Sequence, residues 1–387
     1  MRKIKLLYIG LFILLLKNSL SGSSIIYYPD LADIILTYLS LTIFAVVIFK
    51  ERYSFRVLCL YCFFTVVCLY SSFRCGDMLL ATSLIVCMAI RKQNFNEIIQ
   101  FMYKWQKIWL FFHISLSILI WILGGDSIYG YYDSSNRLRF SFGFSHPNTL
   151  AIFIFNILLM WVWLKYDNFE KNDYLRYILS TLVTYIFTDS RTMLLAAIEF
   201  LILLVAVKKV NLFQKLIKVI AMFITPALSL LIITLVNLYT SGNAFALIAN
   251  RLLNSRLLLG AYMVNNYNIS LLGQKTVAAV SWDPHWGITN TSFDSTYTSL
   301  LISNGYLWLI VLIAAFFLLA RKSCSKVHIM IIMWAVYAVT EVHVMNGIKF
   351  FPILMLSFLW DKNKIANTQN DHIEKIYNNS TVKELQG

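Results

Sequence analysis

Two arginines, a histidine and an asparagine stand just before an apolar segment and could together bind an anion. Arg137 and Arg139 come first, and His146, Pro147 and Asn148 follow where a helix would begin. Proline suits the first turn of a helix because its missing N–H has no partner there. The free N–H groups of a helix start attract anions, and arginine can form two parallel hydrogen bonds to phosphate. The pattern indicates a phosphate site; a capped helix with a surface histidine is the alternative.

A very short turn around Ser190 and Arg191 joins two further apolar segments. Because the turn is too short to form a loop, Arg191 would lie at the membrane interface, where a charge without a partner is costly. Ser190 can cap the helix that follows. We interpret Arg191 as a ligand for an anionic group; the alternative is an Asp189–Arg191 ion pair that only closes the turn.

Arg251 and Arg256 interrupt a mostly apolar segment, residues 244–266. Such a segment is typical of a helix that lies at the membrane surface. Five residues correspond to roughly 140° around a helix, so the two side chains do not share one face. Either the helix breaks near Asn254 or only one of the two arginines faces the site.

Two carboxylates and a second histidine complete the candidate residues. Asp294 precedes an apolar segment, and Glu341 lies within another, where a carboxylate is a functional candidate by default. Glu341 could instead simply neutralise an arginine. His285 belongs to an aromatic and acidic cluster suited to stacking against sugar rings, although aromatic belts at membrane interfaces look similar.

The sequence lacks the motifs of nucleotide- and metal-dependent enzymes. It contains no phosphate-binding loop with its lysine, no nucleophile elbow and no HExxH zinc motif. Most of the six cysteines lie in or beside apolar runs, which is typical of buried small side chains. We therefore expect no metal and no cofactor, so an enzyme of this kind would act on a substrate that is already activated.

Membrane-spanning helices are the elements that must position these residues. The chain is 59% hydrophobic and only 13% charged, whereas soluble domains carry about 25% charged residues. A span needs about 20 apolar residues, so about twelve spans would use most of the chain, although three runs are short and ten or eleven spans remain open. The apolar runs lie near 4–20, 31–49, 56–72, 77–90, 107–123, 148–164, 176–189, 191–207, 217–238, 296–319, 327–345 and 347–360.

The charge pattern predicts how these spans are oriented. If the N-terminus is cytoplasmic and the spans alternate, most of the 33 basic residues fall in cytoplasmic loops, as the positive-inside rule requires. This orientation accounts for the net charge of +14, so we expect no nucleic acid as a partner. We expect the basic loops to contact membrane lipids instead. We expect one transmembrane domain, residues 1–360, and a polar cytoplasmic tail, 361–387.

Two outer loops, 124–147 and 239–295, are long, and the second carries the interfacial helix. Most basic residues on the predicted outer face are arginines, whereas most on the cytoplasmic face are lysines. Topology needs only positive charge, but arginine is preferred where phosphate or carboxylate must be bound. The sequence therefore predicts that any chemistry takes place on the outer face.

The order of these motifs resembles that in bacterial O-antigen and capsular polysaccharide polymerases of the Wzy type, which share a superfamily with the O-antigen ligases. The resemblance covers roughly residues 135–310, and the hydropathy profile with its long outer loop fits the fold of that superfamily. The motifs that carry it are Arg137-x-Arg139 with residues 143–148, Ser190-Arg191-Thr192, Asn254-Ser255-Arg256 with Leu272-Gly273, and Asp294 with Tyr297, Leu300 and Gly305.

The resemblance implies a metal-independent glycosyltransferase in the bacterial cytoplasmic membrane. Its substrate would be an oligosaccharide repeat unit on undecaprenyl diphosphate, polymerised on the outer face, and its partners a flippase and a chain-length regulator. Catalysis would involve Arg191 and Arg256 on the diphosphate, with Asp294 or His146 as general base. The substrate-binding residues would be Arg137, Arg139, Arg251, Asn148, Ser190, His285 and Glu341.

One departure from the family pattern bears on these roles. O-antigen ligases typically carry a histidine before the tenth-span motif, where this chain has Phe293-Asp294-Ser295. This disfavours a ligase and leaves the base open among His146, Asp294, His285 and Glu341. The alternative functions are a flippase for the same lipid-linked oligosaccharide, which needs charged groups deep between two halves, and a non-catalytic accessory protein.

Overall fold

The computed structural model describes residues 2–126, 128–132, 138–276 and 294–360, and within them the chain is mostly helical. Arg137, His285 and the predicted tail 361–387 lie outside the described residues. The α-helices of the described part are α1 Arg2–Ser21, α2 Asp30–Phe49, α3 Phe55–Cys75, α4 Leu79–Ile90, α5 Phe95–Ile122, α6 Pro147–Lys165, α7 Lys171–Thr188, α8 Arg191–Lys209, α9 Asn211–Thr240, α10 Ala244–Leu252, α11 Arg256–Asn266, α12 Thr296–Ser299, α13 Tyr306–Lys322 and α14 Ser325–Tyr337.

Six helical segments of the described residues are long and apolar enough to cross a membrane. Two shorter apolar helices, α4 and α14, accompany them. These features place the chain in the class of α-helical membrane proteins. The six segments are Asp30–Phe49, Phe55–Cys75, Phe95–Ile122, Pro147–Asn168, Leu212–Thr240 and Thr296–Lys322.

The described residues form two compact units. The first comprises the described parts of Met1–Leu58, Met88–Leu201 and Asn346–Phe351. In this unit α1 packs along α2, and α6 packs between α5 and α7. Strands β1 (Tyr129–Tyr132) and β2 (Leu138–Phe140) form an antiparallel pair, in which Arg139 is opposite Tyr131.

Buried amides stabilise the irregular backbone within the first unit. The Nε2 of Gln106 donates to the carbonyl of Ile348 at 2.8 Å, and Asn156 Oδ1 accepts from the N–H of Phe351 at 3.0 Å. The side chain of Asn346 accepts from the N–H of Ile348 at 2.9 Å. Backbone that is not helical must find partners when it is buried in a membrane protein, and these side chains supply them.

The second unit comprises Cys59–Cys87 and the described parts of Ile202–Met345 and of the chain from Pro352 onward. Helix α9 packs against α11, α13 and α14. Between α12 and α13 the chain forms a π-helical segment, Leu300–Gly305, so that residues 296–322 are helical throughout. This confirms the predicted run at 296–319.

Two glycines from separate predicted motifs meet in this unit. Gly273 and Gly305 both have positive φ angles, and a Cβ atom on either would collide with backbone of the opposing segment. The N–H of Gln274 donates to the carbonyl of Ser303 at 2.9 Å, which ties the chain that follows α11 to the π-helical segment. Glycine is required at both positions because the two backbones approach so closely.

Three predicted apolar runs differ from the helices of the structure in length or in type. The predicted run 107–123 belongs to a longer helix, α5, which begins at Phe95 because Asn94 caps it and accepts from the N–H of Asn96. The predicted run 327–345 is helical only to Tyr337, the end of α14, and a 3₁₀ helix, Val342–Met345, follows. The predicted run 347–360 is a 3₁₀ helix over Phe351–Trp360.

Candidate functional site

Helix α6 begins as the sequence predicts. Pro147 is its first residue and His146 is its N-cap, whose side chain accepts from the N–H of Asn148 at 3.0 Å. The accepting atom is Nδ1, so the proton of the neutral imidazole lies on Nε2. In this arrangement His146 is set up to donate a hydrogen bond from Nε2.

Two effects lower the pKa of His146: burial comes first, and the charge of Arg139 adds to it. Both disfavour the imidazolium form. A histidine that is neutral and already accepts at Nδ1 is better suited to orient a substrate oxygen than to act as general base. Its role as the base therefore loses support from the geometry.

Arg139 brings the first two predicted motifs together. Its Nε donates to the carbonyl of Thr188 at 2.8 Å, and its Nη2 donates to Oδ1 of Asn148 at 2.6 Å. Thr188 is the last residue of α7, where a cation is favourable because the helix dipole is negative. Arg139 thus joins the end of α7 to the start of α6, and its charge lies beside the N-terminus of α6.

Arg191 and Ser190 lie at the start of α8. The carbonyl of the buried Ser190 accepts from the N–H of Leu194 at 3.1 Å, which places Ser190 at the N-cap position. Arg191 is the first residue of the helix and is exposed. No hydrogen bond or salt bridge joins its side chain to another residue of the described ranges, so its guanidinium projects outward from this turn.

The interfacial segment breaks as one of the two predicted alternatives requires. Helix α10 ends at Leu252 and α11 begins at Arg256, and both Asn254 and Ser255 adopt positive φ angles between them. Arg251 is exposed at the end of α10. The side chain of Arg256, in contrast, is only 10% exposed. The break therefore leaves the side chain of Arg251 exposed and that of Arg256 mostly buried.

Arg256 contacts two carboxylates and a carbonyl in the second unit. Its Nη2 lies 3.3 Å from Oε1 of Glu341, and its Nε lies 3.8 Å from Oδ2 of Asp294. Its Nη1 donates to the carbonyl of Thr340. The side chain of Glu341 is 14% exposed and that of Asp294 is 35% exposed. We call these three residues, Arg256, Asp294 and Glu341, the arginine–carboxylate cluster.

The cluster is assembled at the end of α14 and the start of α12. The N–H of Thr296, the first residue of α12, donates to the carbonyl of Ala338 at 2.9 Å. The hydroxyl of Thr296 donates to the carbonyl of Glu341 at 2.6 Å. Both accepting carbonyls lie just beyond the end of α14, and the bonds hold Asp294 and Glu341 beside the same guanidinium.

Burial raises the pKa of Glu341 to about 7, and the neighbouring Asp294 adds to the increase, whereas Arg256 opposes it. Glu341 lies outside the six helical segments that are long and apolar enough to cross a membrane. Tyr337, the last residue of α14, also interacts electrostatically with both Glu341 and Arg256. A carboxyl group with a pKa close to neutrality can accept or release a proton under physiological conditions, which is the property that a general base or acid needs.

Arg256, which was expected to bind the diphosphate, is bound by protein acceptors in the structure. Of its five N–H donors, those of Nη1 and Nη2 meet Thr340 and Glu341. Its guanidinium still contacts both carboxyl groups, and its charge opposes the rise in the pKa of Glu341. Sequence reasoning missed this grouping because Arg256 and Glu341 are 85 residues apart; the one signal was that Glu341 could neutralise an arginine.

Comparisons of the chain with protein-family models, with curated protein sequences and with solved structures find no match.

Proposed function

We propose that this protein is a polysaccharide polymerase that joins undecaprenyl-diphosphate-linked repeat units on the outer face of the bacterial cytoplasmic membrane. The observation that carries the proposal is the arginine–carboxylate cluster. It holds two carboxyl groups, which could accept a proton, beside the guanidinium of Arg256. The motif order that resembles the O-antigen and capsule polymerases supports the choice of substrate. The twelve spans and the cytoplasmic termini belong to the same proposal. Helices over the other apolar runs support it, and α14, the helix of the eleventh run, ends at Tyr337, so that Glu341 lies beyond it.

In the proposed reaction the hydroxyl oxygen of the acceptor sugar attacks the anomeric carbon of the donor glycan. A new glycosidic C–O bond forms as the bond to the diphosphate breaks, and the diphosphate leaves with the electron pair. The hydroxyl proton passes to the carboxyl pair of Asp294 and Glu341. Asp294 is the more exposed of the two and would meet the hydroxyl, while Arg256 holds both groups in place.

The first unit carries its own candidate anion ligand. Arg191 is exposed at the start of α8, and the guanidinium fork suits a phosphate group better than a lysine does. Diphosphate that leaves with negative charge needs such stabilisation. We therefore keep Arg191 as the proposed diphosphate ligand and assign Arg256 to positioning the carboxyl groups.

The test uses purified protein and lipid-linked repeat units in detergent, with EDTA and without nucleotide. The wild-type protein should produce a ladder of lipid-linked polymers, because the donor is already activated. Glu341→Gln and Asp294→Asn should each slow polymerisation by about 10²–10⁴-fold, the usual contribution of a general base. The double variant should lose little more, because residues that act as a unit are not additive.

Glu199→Gln is the matched control, because it removes a carboxyl group from an apolar helix outside the cluster. It should leave the ladder unchanged. A flippase would produce no ladder in detergent, and a ligase would transfer glycan without extending it on the lipid. A strict requirement for a divalent metal would also contradict the proposed mechanism.

A further inference from the structure

The second unit contains an apolar cavity of about 380 Å³ that the proposed reaction does not use. This volume falls within the range of 300–1,000 Å³ that is usual for sites that bind small molecules. Segments from α3, α4, α13 and the 3₁₀ helix Phe351–Trp360 form its walls. The lining residues are Phe64, Leu80, Ser83, Leu84, Cys87, Trp308, Val311, Leu312, Ala314, Ala315, Leu318, Lys322, Ile353, Leu356 and Leu359.

One face of α13 runs along the whole cavity. Trp308, Leu312, Ala315 and Lys322 recur at helical spacing and so line the same side. Fourteen residues separate the first from the last, which corresponds to about 21 Å along the helix axis. The cavity is therefore elongated, and it runs parallel to a helix that is long and apolar enough to span a membrane.

Two polar side chains in the walls, Ser83 and Cys87, are turned toward the protein backbone. The hydroxyl of Ser83 donates to the carbonyl of Met345 at 2.6 Å. The thiol of Cys87 lies 3.7 Å from the carbonyl of Ile353. These two groups are satisfied within the protein, whereas the buried Nε1 of Trp308 has no hydrogen-bond partner among the described residues. Most of the other lining side chains are hydrocarbon, so the cavity suits a hydrocarbon occupant. Ala314 and Leu318 are exposed, so the cavity opens sideways from α13.

The end of the cavity at Lys322 is strongly basic. Arg321 precedes Lys322 at the end of α13, and Lys326 follows in the first turn of α14, with no acidic residue between them. Lys218 of α9 belongs to the same region, since it interacts electrostatically with His328 of α14. The charge pattern predicts that this end faces the cytoplasm, where anionic lipids attract clusters of lysine and arginine.

We propose that this cavity binds one acyl chain of an anionic phospholipid from the cytoplasmic leaflet, with the phosphate of its headgroup at Lys322. One leaflet contributes about 15 Å of the hydrocarbon core, so a chain that starts at Lys322 would be enclosed over the full depth of its leaflet. The basic end favours an anionic headgroup over a zwitterionic one. The inference rests on the cavity and its charge, and it holds whatever reaction the protein catalyses.

The test measures lipid binding to the purified, delipidated full-length protein by native mass spectrometry. Phosphatidylglycerol should bind more tightly than phosphatidylcholine of the same chain length. Lys322→Gln should weaken phosphatidylglycerol binding about fivefold, because one basic residue near a lipid phosphate contributes roughly that factor. Arg321→Gln is the matched control, since it removes the same charge next to the cavity without changing a lining residue. The charge of Arg321 acts on the headgroup through solvent, so this variant should weaken phosphatidylglycerol binding less than Lys322→Gln does.

A second pair of variants tests the cavity itself. Ala315→Trp places an indole in the cavity and should remove most lipid binding, whereas Ile310→Trp adds the same side chain at a 57% exposed position outside it. Equal binding of the two lipids would overturn the assignment of the headgroup. Undiminished binding in a folded Ala315→Trp protein would overturn the cavity as the site. If that variant fails to fold, the comparison of Lys322→Gln with Arg321→Gln decides alone.

Discussion

Replacing Arg256 by glutamine removes the cation that contacts both Glu341 and Asp294. Glutamine keeps hydrogen-bonding groups at this position, so the change acts mainly on charge. The side chains of Arg256 and Glu341 are only 10% and 14% exposed. Removing one partner of a buried ion pair typically costs about 3–5 kcal/mol, because a buried charge is left without compensation. We expect Arg256→Gln to lower the free energy of unfolding by about that amount at pH 8.

The cost should be smaller at pH 6, because Glu341 then loses its charge by binding a proton. Burial raises the pKa of Glu341 to about 7, and Arg256 opposes this increase, so the pKa rises further in the variant. A carboxyl group whose pKa is raised on folding loses stability as the pH rises from its unfolded to its folded pKa. In the wild-type protein this loss ends near pH 7. In Arg256→Gln it continues above pH 7, by up to about 1.4 kcal/mol per pH unit.

Thermal unfolding of the purified protein in detergent at pH 6, 7 and 8 measures this difference. Arg251→Gln is the matched control, because Arg251 is exposed only five residues away. It should behave like the wild-type protein at every pH. If Arg256→Gln is destabilised equally at pH 6 and pH 8, Arg256 does not compensate the charge of Glu341. If it is not destabilised at all, the arginine–carboxylate cluster does not stabilise this part of the protein.

Three further predictions follow from the same structure. Polymerisation should fall about tenfold between pH 8 and pH 6, because a group with a pKa of about 7 becomes largely protonated over that range; Glu341→Gln should abolish this dependence in the residual rate. Arg191→Lys should lower polymer yield by about 10²–10³-fold with normal protein levels, because Arg191 is exposed; near-normal polymer would remove it from the catalytic residues. In a cysteine-free background, Lys275→Cys should react with an impermeant maleimide in intact cells stripped of any outer membrane, and Lys209→Cys only after lysis; the reverse result would invert the predicted topology.

The sequence predicted a helix well where residues close together in the chain determine its position. The start of α6 at Pro147 follows from the residue types alone, because proline and an N-cap side chain act within one turn. For Arg251 and Arg256, helix geometry left two alternatives, a break near Asn254 or only one arginine facing the site, and the structure has the break. Apolar runs located the helices for the same reason, because burial in a membrane requires a continuous apolar stretch.

The candidate site was less accessible to sequence reasoning, because its contacts join distant parts of the chain. Arg139 and Thr188 belong to separate motifs, and only the fold shows that one donates to the other. Arg256 was expected to face substrate, but its guanidinium is bound to Glu341 and Thr340. Residue type alone cannot distinguish an arginine that binds a ligand from one that positions catalytic groups, because both need the same donors.

The early end of α14 shows how helix termination and the site depend on each other. A continuous helix from 327 to 345 is what the hydropathy of this run predicts, and no proline or glycine interrupts it. Where the helix ends, carbonyl groups accept from other elements: the hydroxyl of Tyr297 donates to Ala335 at 2.8 Å, and the N–H of Thr296 donates to Ala338 at 2.9 Å. The Nη1 of Arg256 likewise donates to the carbonyl of Thr340, which lies beyond the end of the helix. The contacts at the end of the helix therefore also place Glu341 beside Arg256, so a variant that extends α14 should separate the two charges and destroy the cluster.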